Sequence, residues 1–437
     1  FLSRPAFLKL ESAVDAYLAA VSYKPQAVDV AALRGALAKL VAAVDAYEAA
    51  ANSETAKGLR TALADVRKTT GDNGDLITAA IDQLYLAPNV RLIASEGFAS
   101  KLVGETRTEQ GQVSDFVLGA SVGGWQTTTT SVNIDFKPSA DQIRFDLLLN
   151  GTIQSNTAGS TSQATIYTSG YHTFNASKQI NFDGDHFTVS PGSISVSANN
   201  TTTGARTRLS GVPIFGGIAN RMAIQEAANR RPQAEAITRG RVQDRVLPEF
   251  NSQVDKQFAD AGKRIETELN AGLKAAGIFP DLRLFSSTNQ SMTIATRVAN
   301  DTELAGSTPS SQLMNSASGA RLLLHETAVN NTIARIDFNG KTMSEEELRH
   351  HVEGFLTKAL AREFKFAPPT KPANYEADAD EEEKIPAKIA FAKVDPLRVS
   401  FSNGQVTLVI HAGLEREGKK PIPTQEIVVP LTIAVAG

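Results

Sequence analysis

The apolar residues of this chain change period abruptly near Ala87. Ahead of that point they recur at helical spacings of three and four. From residue 89 to about 209 they alternate with Ser, Thr and other polar residues, as half-buried strands do. A one-residue slip in a strand turns its whole apolar set outward, so the two patterns cannot share one element. The switch therefore predicts an α+β chain: an N-terminal helical bundle, then long antiparallel curved sheets packed on long helices.

Within the bundle, Leu10-Glu-Ser-Ala-Val-Asp-Ala-Tyr17 returns thirty positions later as Leu40-Val-Ala-Ala-Val-Asp-Ala-Tyr47. Pro25 falls between the copies and predicts an antiparallel helical hairpin. Val14, Tyr17, Val44 and Tyr47 form the apolar face common to both, a candidate assembly surface toward a neighbouring copy. Further helices are expected over residues 53–69 and 75–86, divided by the turn Gly71-Asp-Asn-Gly74.

Strands are expected at 131–136, 143–147, 164–171, 171–176, 179–182, 186–189 and 194–198, with Asp183-Gly184 as a hairpin signal. Residues 214–276 return to helix. Val246, Phe250, Val254, Phe258, Ile265, Leu269 and Leu273 repeat at spacings of four and seven, an apolar seam. Pro248 predicts the start of a second helix after an arginine-rich one. Strands follow at 282–285, 292–298, 320–324, 399–401, 406–412 and 427–435. Ser344-Glu-Glu-Glu347 is a capping box opening a helix to about residue 364. The resulting divisions are 1–87 (bundle), 88–210 (β module), 211–280 (long helical pair) and 281–437 (α+β module). A degenerate repeat crosses them: Arg91-Leu-Ile-Ala-Ser-Glu96 lines up with Arg321-Leu-Leu-Leu-His-Glu326, by chance or by duplication.

The chemistry-bearing residues form no catalytic set. Cysteine is absent, which removes disulfides, thiolate metal sites and thiol nucleophiles and fits a protein of the bacterial envelope. There is no phosphate loop or His-Glu-x-x-His pair, and the string Gly119-Ala-Ser-Val-Gly123 lies inside the strand-period region, not between a strand and a helix as a nucleophile elbow does. His350-His351 lies beside Glu347 but offers too few ligands for zinc. The tract Glu376, Asp378, Asp380, Glu381, Glu382 and Glu383 places six carboxylates in eight residues. It is a candidate loop for an ion or a partner, though it lacks the glycine of a calcium-binding hand. Trp125 and the 20 phenylalanines are expected in the core. A net charge of −3 gives no field for nucleic acid, and no apolar run is long enough for a spanning helix. Phe1 in place of Met suggests a processed or trimmed N-terminus, and removal of a signal peptide is one explanation.

Ser95-Glu-Gly-Phe98, Val113-Ser-Asp-Phe-Val-Leu-Gly-Ala120, Gln154-Ser-Asn-Thr157, Leu247-Pro-Glu-Phe-Asn251, His325-Glu-Thr-Ala-Val-Asn-Asn331 and Asp395-Pro-Leu-Arg-Val-Ser-Phe401 resemble an uncharacterised, planctomycete-type family of exported bacterial proteins. That resemblance implies a compartment and no chemistry. The strand–Glu–helix element at 320–336, followed by long strands, is similar at the level of fold to tubular lipid-binding modules of the bactericidal/permeability-increasing type. Those modules wrap curved sheets on long helices with lipid between.

The sequence thus leads to a non-enzymatic exported structural protein of the envelope or cell surface, without cofactor or metal, assembling into a homo-oligomer. The alternative is a periplasmic carrier of lipid or another apolar ligand. Nucleic acid is not an expected partner; a lipid or envelope component is.

Overall fold

The computed structural model describes residues 14, 21, 29–310, 318–367, 387–402 and 404–432. Among the described residues, the first helices with described bounds are α1 (Val30–Ala49), α2 (Ser53–Thr70) and α3 (Gly74–Tyr85). The Asp29 carboxylate accepts from the Ala31 and Ala32 amides and starts α1. Asn52 and Thr55 form a reciprocal cap at the start of α2, which satisfies donors a helix cannot use. The turn 71–74 is a single 3-10 turn leading into α3. Leu59, Leu63 and Val66 are fully buried between these helices. Val44 and Tyr47 pack half-buried against the same core, and the Tyr47 ring meets Tyr85 edge-on at 5.8 Å. The other half of the sequence repeat, residues 10–17, lies outside the described residues except for Val14, which is helical and exposed.

Next come β1 (Val90–Ser95) and the short helix α4 (Glu96–Val103). A meander follows, made of β2 (Thr106–Val117), β3 (Ala120–Lys137), β4 (Ile143–Ser160), β5 (Ala164–Phe182), β6 (Phe187–Val189) and β7 (Ser193–Thr207). The strands pair in chain order, and β6 and β7 share the far edge of β5. The separate strands expected at 164–171, 171–176 and 179–182 are one 19-residue strand. Gly170 does not interrupt it, because period-two burial continues from Gly170 to Phe182. Strands of 18 and 19 residues reach about 60 Å, and a sheet of that length must coil.

The sheet coils around one helix, α5 (Phe215–Arg264), 50 residues long and so about 75 Å. Here the expected helical pair is corrected. Pro232 and Pro248 both sit inside a continuous helix. Each proline removes one backbone hydrogen bond. Both prolines and the residues four before them, Ala228 and Asp244, are exposed, so the freed carbonyls face water. The seam expected from spacing holds the helix on the sheet: Phe250 and Val254 are buried, and Phe258 and Ile265 pack against the same core. A π-type turn (Ile265–Asn270) and the short helix α6 (Ala271–Ala275) end the segment.

A four-stranded sheet joins the two halves. It contains β1, β8 (Leu282–Ser287), β9 (Ser291–Arg297) and β10 (Ala320–Leu324) in the order β10-β1-β9-β8. The second half continues with α7 (Glu326–Ile336), β11 (Thr342–Ser344), α8 (Glu345–Ala359), β12 (Ala387–Phe391), β13 (Leu397–Ser402), β14 (Gln405–Arg416) and β15 (Ile422–Leu431). The capping box of α8 forms as expected from Ser344 and Glu347. The last strand begins at Ile422, five residues ahead of the expected start. Architecture and class are α+β.

The degenerate repeat has a structural counterpart. β1 and β10 lie antiparallel with Leu92 opposite Leu322, Arg91 opposite Leu323 and Ile93 opposite Arg321. Residues that match in sequence are thus related by a local two-fold axis. The Glu96 carboxylate accepts from the Phe136 amide at 3.1 Å, and the Glu326 carboxylate from the Phe401 amide at 2.7 Å. One turn on, Ser100 bonds both backbone groups of Ile134, and Asn330 bonds both backbone groups of Val399. Each half therefore clips the start of a helix to one strand of its own sheet in the same way.

Candidate functional site

Three connections of the meander meet at one end of the sheet. These are the β2–β3 turn, the β4–β5 turn and the β7–α5 junction, placed together by the pairs Val117–Ala120, Ser121–Ser160 and Thr165–Arg206. Leu118 and Gly119, both at positive φ, form the kind of tight turn that suits a twisted hairpin. The tip they make is apolar and open to solvent. Ile214 is 83% exposed, Met222 69%, Phe116 66% and Phe215 64%. Leu209, Val212 and Ile218 complete it, all exposed. Single exposed apolar residues are ordinary, whereas several within one short junction, Leu209 to Met222, mark an interaction surface; Phe116 stands apart from them, since its neighbour Asp115 is reached by Arg241 far along α5.

The junction that carries most of this patch is held firmly. The Asn220 side-chain carbonyl accepts from the Thr207 amide at 3.2 Å, the Thr207 hydroxyl at 3.1 Å and the Ser210 hydroxyl at 2.7 Å. Gly216 is buried under this turn, and a Cβ there would meet the Ser210 carbonyl at 2.7 Å and the Leu209 carbonyl at 2.8 Å. Ile214 has φ +68°, a conformation that β-branched residues rarely adopt. A strained backbone therefore points a large aliphatic side chain at solvent.

Charge at the β7–α5 junction is predominantly positive. Arg206, Arg208 and Arg221 are exposed, and residues 117–124, 157–164 and 205–225 contain no Asp or Glu. A few residues back from the tip, the convex face carries aromatic rings. Trp125 is 66% exposed, Tyr171 52% and Tyr167 43%. Trp125 lies opposite Asn156, and Asn156 opposite Ser169, which stands between the two tyrosines. This corrects the expectation that Trp125 belongs to the core: at position 125 the side chain points away from α5, on the opposite face of the sheet, and is largely exposed.

Between the sheet and α5 the composition grades from apolar to polar. At the base Phe136, Phe145, Leu147, Ile180 and Phe182 pack with Phe250, Val254 and Phe285. Lys178, 3% exposed, sends its ammonium to Asp255 at 2.7 Å and Asn251 at 2.9 Å. Farther toward the tip His172 is 5% exposed, and burial pushes its imidazole below the ordinary histidine pKa while Glu235 pulls the other way. Glu235 itself accepts from the Asn200 amide at 2.9 Å and Arg231 at 2.8 Å. Arg241 reaches Asp115 on the opposite edge strand at 3.3 Å. The helix is thereby tied to both margins of the coiled sheet.

A separate cleft of about 260 Å³ lies among α2, α7 and the β12–β13 turn. Asp395 organises it. Its carboxylate accepts from the Ser53 amide at 2.9 Å and from Arg398 at 3.1 Å, while its carbonyl faces His411 Nδ1 at 2.9 Å. That bond is the main cause of the raised His411 pKa. These groups are spent on one another and join the bundle to the second half.

Of the residues singled out in the sequence, Val44 and Tyr47 face the core of the bundle, Val14 is exposed, and Tyr17 lies outside the described residues. The acidic tract Glu376, Asp378, Asp380, Glu381, Glu382 and Glu383 also lies outside them. His350 approaches Glu353 at 3.4 Å, while His351 bonds the Ile336 carbonyl and packs on Phe338, so the pair diverges. Among the described residues no cluster of three metal-ligating side chains occurs, and no helix is long and apolar enough to cross a membrane. The tip was missed in the sequence. Its signal was Leu209-Ser-Gly-Val-Pro-Ile-Phe215, an apolar loop that contains Gly211 and Pro213 and follows neither strand nor helix period.

No family model matches this chain, and no curated protein does. Among solved structures, a crystal structure of a lipopolysaccharide binding protein aligns with a TM-score of 0.25 at 12% identity, covering 79% of this chain and 78% of that one. A likeness that slight says nothing of what the chain does.

Proposed function

We propose that this chain is a non-enzymatic, exported protein that docks on an anionic lipid surface through the tip of its coiled sheet. The observation that carries the reading is the rigid junction 207–222. It holds Ile214, Phe215 and Met222 in solvent at the cost of a strained backbone, beside Arg206, Arg208 and Arg221, while Glu226, one turn beyond Met222, is answered by Arg230. Apolar side chains gain free energy on entering the acyl boundary, and each arginine near an anionic surface adds about 1 kcal/mol. Trp125, Tyr167 and Tyr171 stand where amphipathic rings favour the headgroup layer. The base of the sheet–helix interior is filled by packed side chains, which favours surface docking over carriage of a lipid between sheet and helix.

Co-sedimentation with vesicles tests this, using phosphatidylcholine alone and mixed with phosphatidylglycerol. The protein binds the mixed vesicles, and added salt weakens the binding. Ile214→Asp with Phe215→Asp lowers affinity at least about tenfold. Trp125, the single tryptophan, shifts its emission to the blue on binding. A protein that leaves both vesicles in the supernatant ends the proposal. If it instead forms oligomers that the same two substitutions disperse, the scaffold reading takes its place.

A further inference from the structure

The outer face of the coiled sheet is polar without being charged. Strand pairing places Thr108, Thr129, Thr152, Thr173 and Ser197 in one row across five strands. Between the rows of Thr106 and Phe116, the outward positions of β2, β3, β4 and β5, and those of β7 as far as Thr201, hold no Asp, Glu, Lys or Arg. A soluble surface ordinarily carries charge on about a quarter of its positions. The strands themselves are not poor in charge: Arg107, Glu109 and Asp115 of β2 all fall on the alternate positions, which belong to the opposite face. Charge returns at the base, where Lys137 pairs with Asp135 and Asp146, and at the β7 margin, where Arg231 bonds Asn199.

Within this face the aromatic rings flank one strand. Trp125 stands on β3, and Tyr167 and Tyr171 stand on β5, so β4 runs between them with Gln154, Asn156 and Ala158 as the floor. Two strand spacings set these walls about 10 Å apart, a gap that a chain of sugar rings fits. All three rings are exposed, and so are the Gln154 and Asn156 amides of the floor.

We propose that this slot binds an extended, uncharged polysaccharide. The C–H face of a pyranose stacks on the electron-rich face of an aromatic ring. Its hydroxyls pair with side-chain amides, which donate and accept at once. A face without ionic groups matches a ligand that has none, because no charge has to be stripped of water on binding. A glycan bearing carboxylates or phosphates meets no lysine or arginine in the slot. This contact is separate from lipid docking, which the junction 207–222 carries.

Depletion from solution by insoluble particles tests the proposal, using cellulose, chitin and granular starch with the full chain. At least one of the three removes the protein, and added salt leaves the removal unchanged. Trp125→Ala and Tyr171→Ala each weaken it at least about tenfold, and Asn156→Ala weakens it about threefold. These side chains are exposed, so the variants report on the contact and not on the fold. Ile214→Asp with Phe215→Asp leaves removal by polysaccharide as it was, so a failure of lipid docking does not touch this result. A chain that none of the particles removes overturns the proposal. So does removal that the ring variants retain, that salt abolishes or that the junction variant loses, because the contact then lies elsewhere on the surface.

Discussion

Ile214 is the residue at which stability and function are set against each other. A β-branched residue at φ +68° costs about 1–2 kcal/mol relative to the right-handed region, and an exposed side chain recovers nothing by packing. Glycine adopts this backbone freely, with an entropic penalty of its own of about 0.5–1 kcal/mol. Ile214→Gly is therefore expected to raise the stability of the folded chain by roughly 1 kcal/mol in denaturant unfolding. The same change should weaken vesicle binding. A variant that is less stable, or one that binds vesicles as well as the parent, contradicts the reading of Ile214 as a strained, displayed side chain. Nothing in the sequence marks this strain, because the φ of one residue depends on the turn that Asn220 and Gly216 fix around it.

At the scale of elements, the joint between α5 and the sheet rests on a buried ammonium. Lys178 is 3% exposed and is answered by Asp255, whose side chain is 57% exposed. Removing the carboxylate leaves the amine buried with Asn251 as its remaining partner. Asp255→Ala is expected to cost about 2 kcal/mol, below the usual value for a broken buried pair because Asp255 is partly solvated. Lys178→Met fills the same volume without charge and should change stability by less than about 1 kcal/mol. Thermal or urea unfolding of the two variants checks the ordering, and a reversed ordering removes the ion pair from the account of how helix and sheet are held. Much of this level was legible in the sequence. The seam from Phe250 to Ile265, the capping box at Ser344 and the strand at 320–324 depend on local period and chemistry, which tertiary structure did not override; the expected seam fails at Leu269, 52% exposed within the π-type turn. The helix break expected at Pro248 was wrong for a tertiary reason: its freed carbonyl faces water and its neighbours Phe250 and Val254 are buried on the sheet. The tip residues were illegible because exposure is decided by where three distant connections meet.

For the whole molecule, the organising relation is that two unlike halves share one clip. Glu96 and Glu326 each accept a strand amide, and Ser100 and Asn330 each close the same two-point bond one turn later. The sequence showed only a common strand followed by Glu, too short to separate chance from repetition; the shared hydrogen bonds and the register at Leu92 and Leu322 show that the two segments are structural equivalents. A carboxylate that accepts a half-buried amide contributes more than a neutral acceptor, and its loss leaves that amide unsatisfied. Glu96→Ala and Glu326→Ala should therefore each destabilise by about 1–3 kcal/mol. They bind different strands and share no partner, so the double variant should lose close to the sum. The two substitutions differ in where they act: hydrogen exchange should rise in β3 and β4 for the first and in β13 and β14 for the second. If Glu326→Ala loosens the first sheet as much as the second, the halves unfold as one cooperative unit.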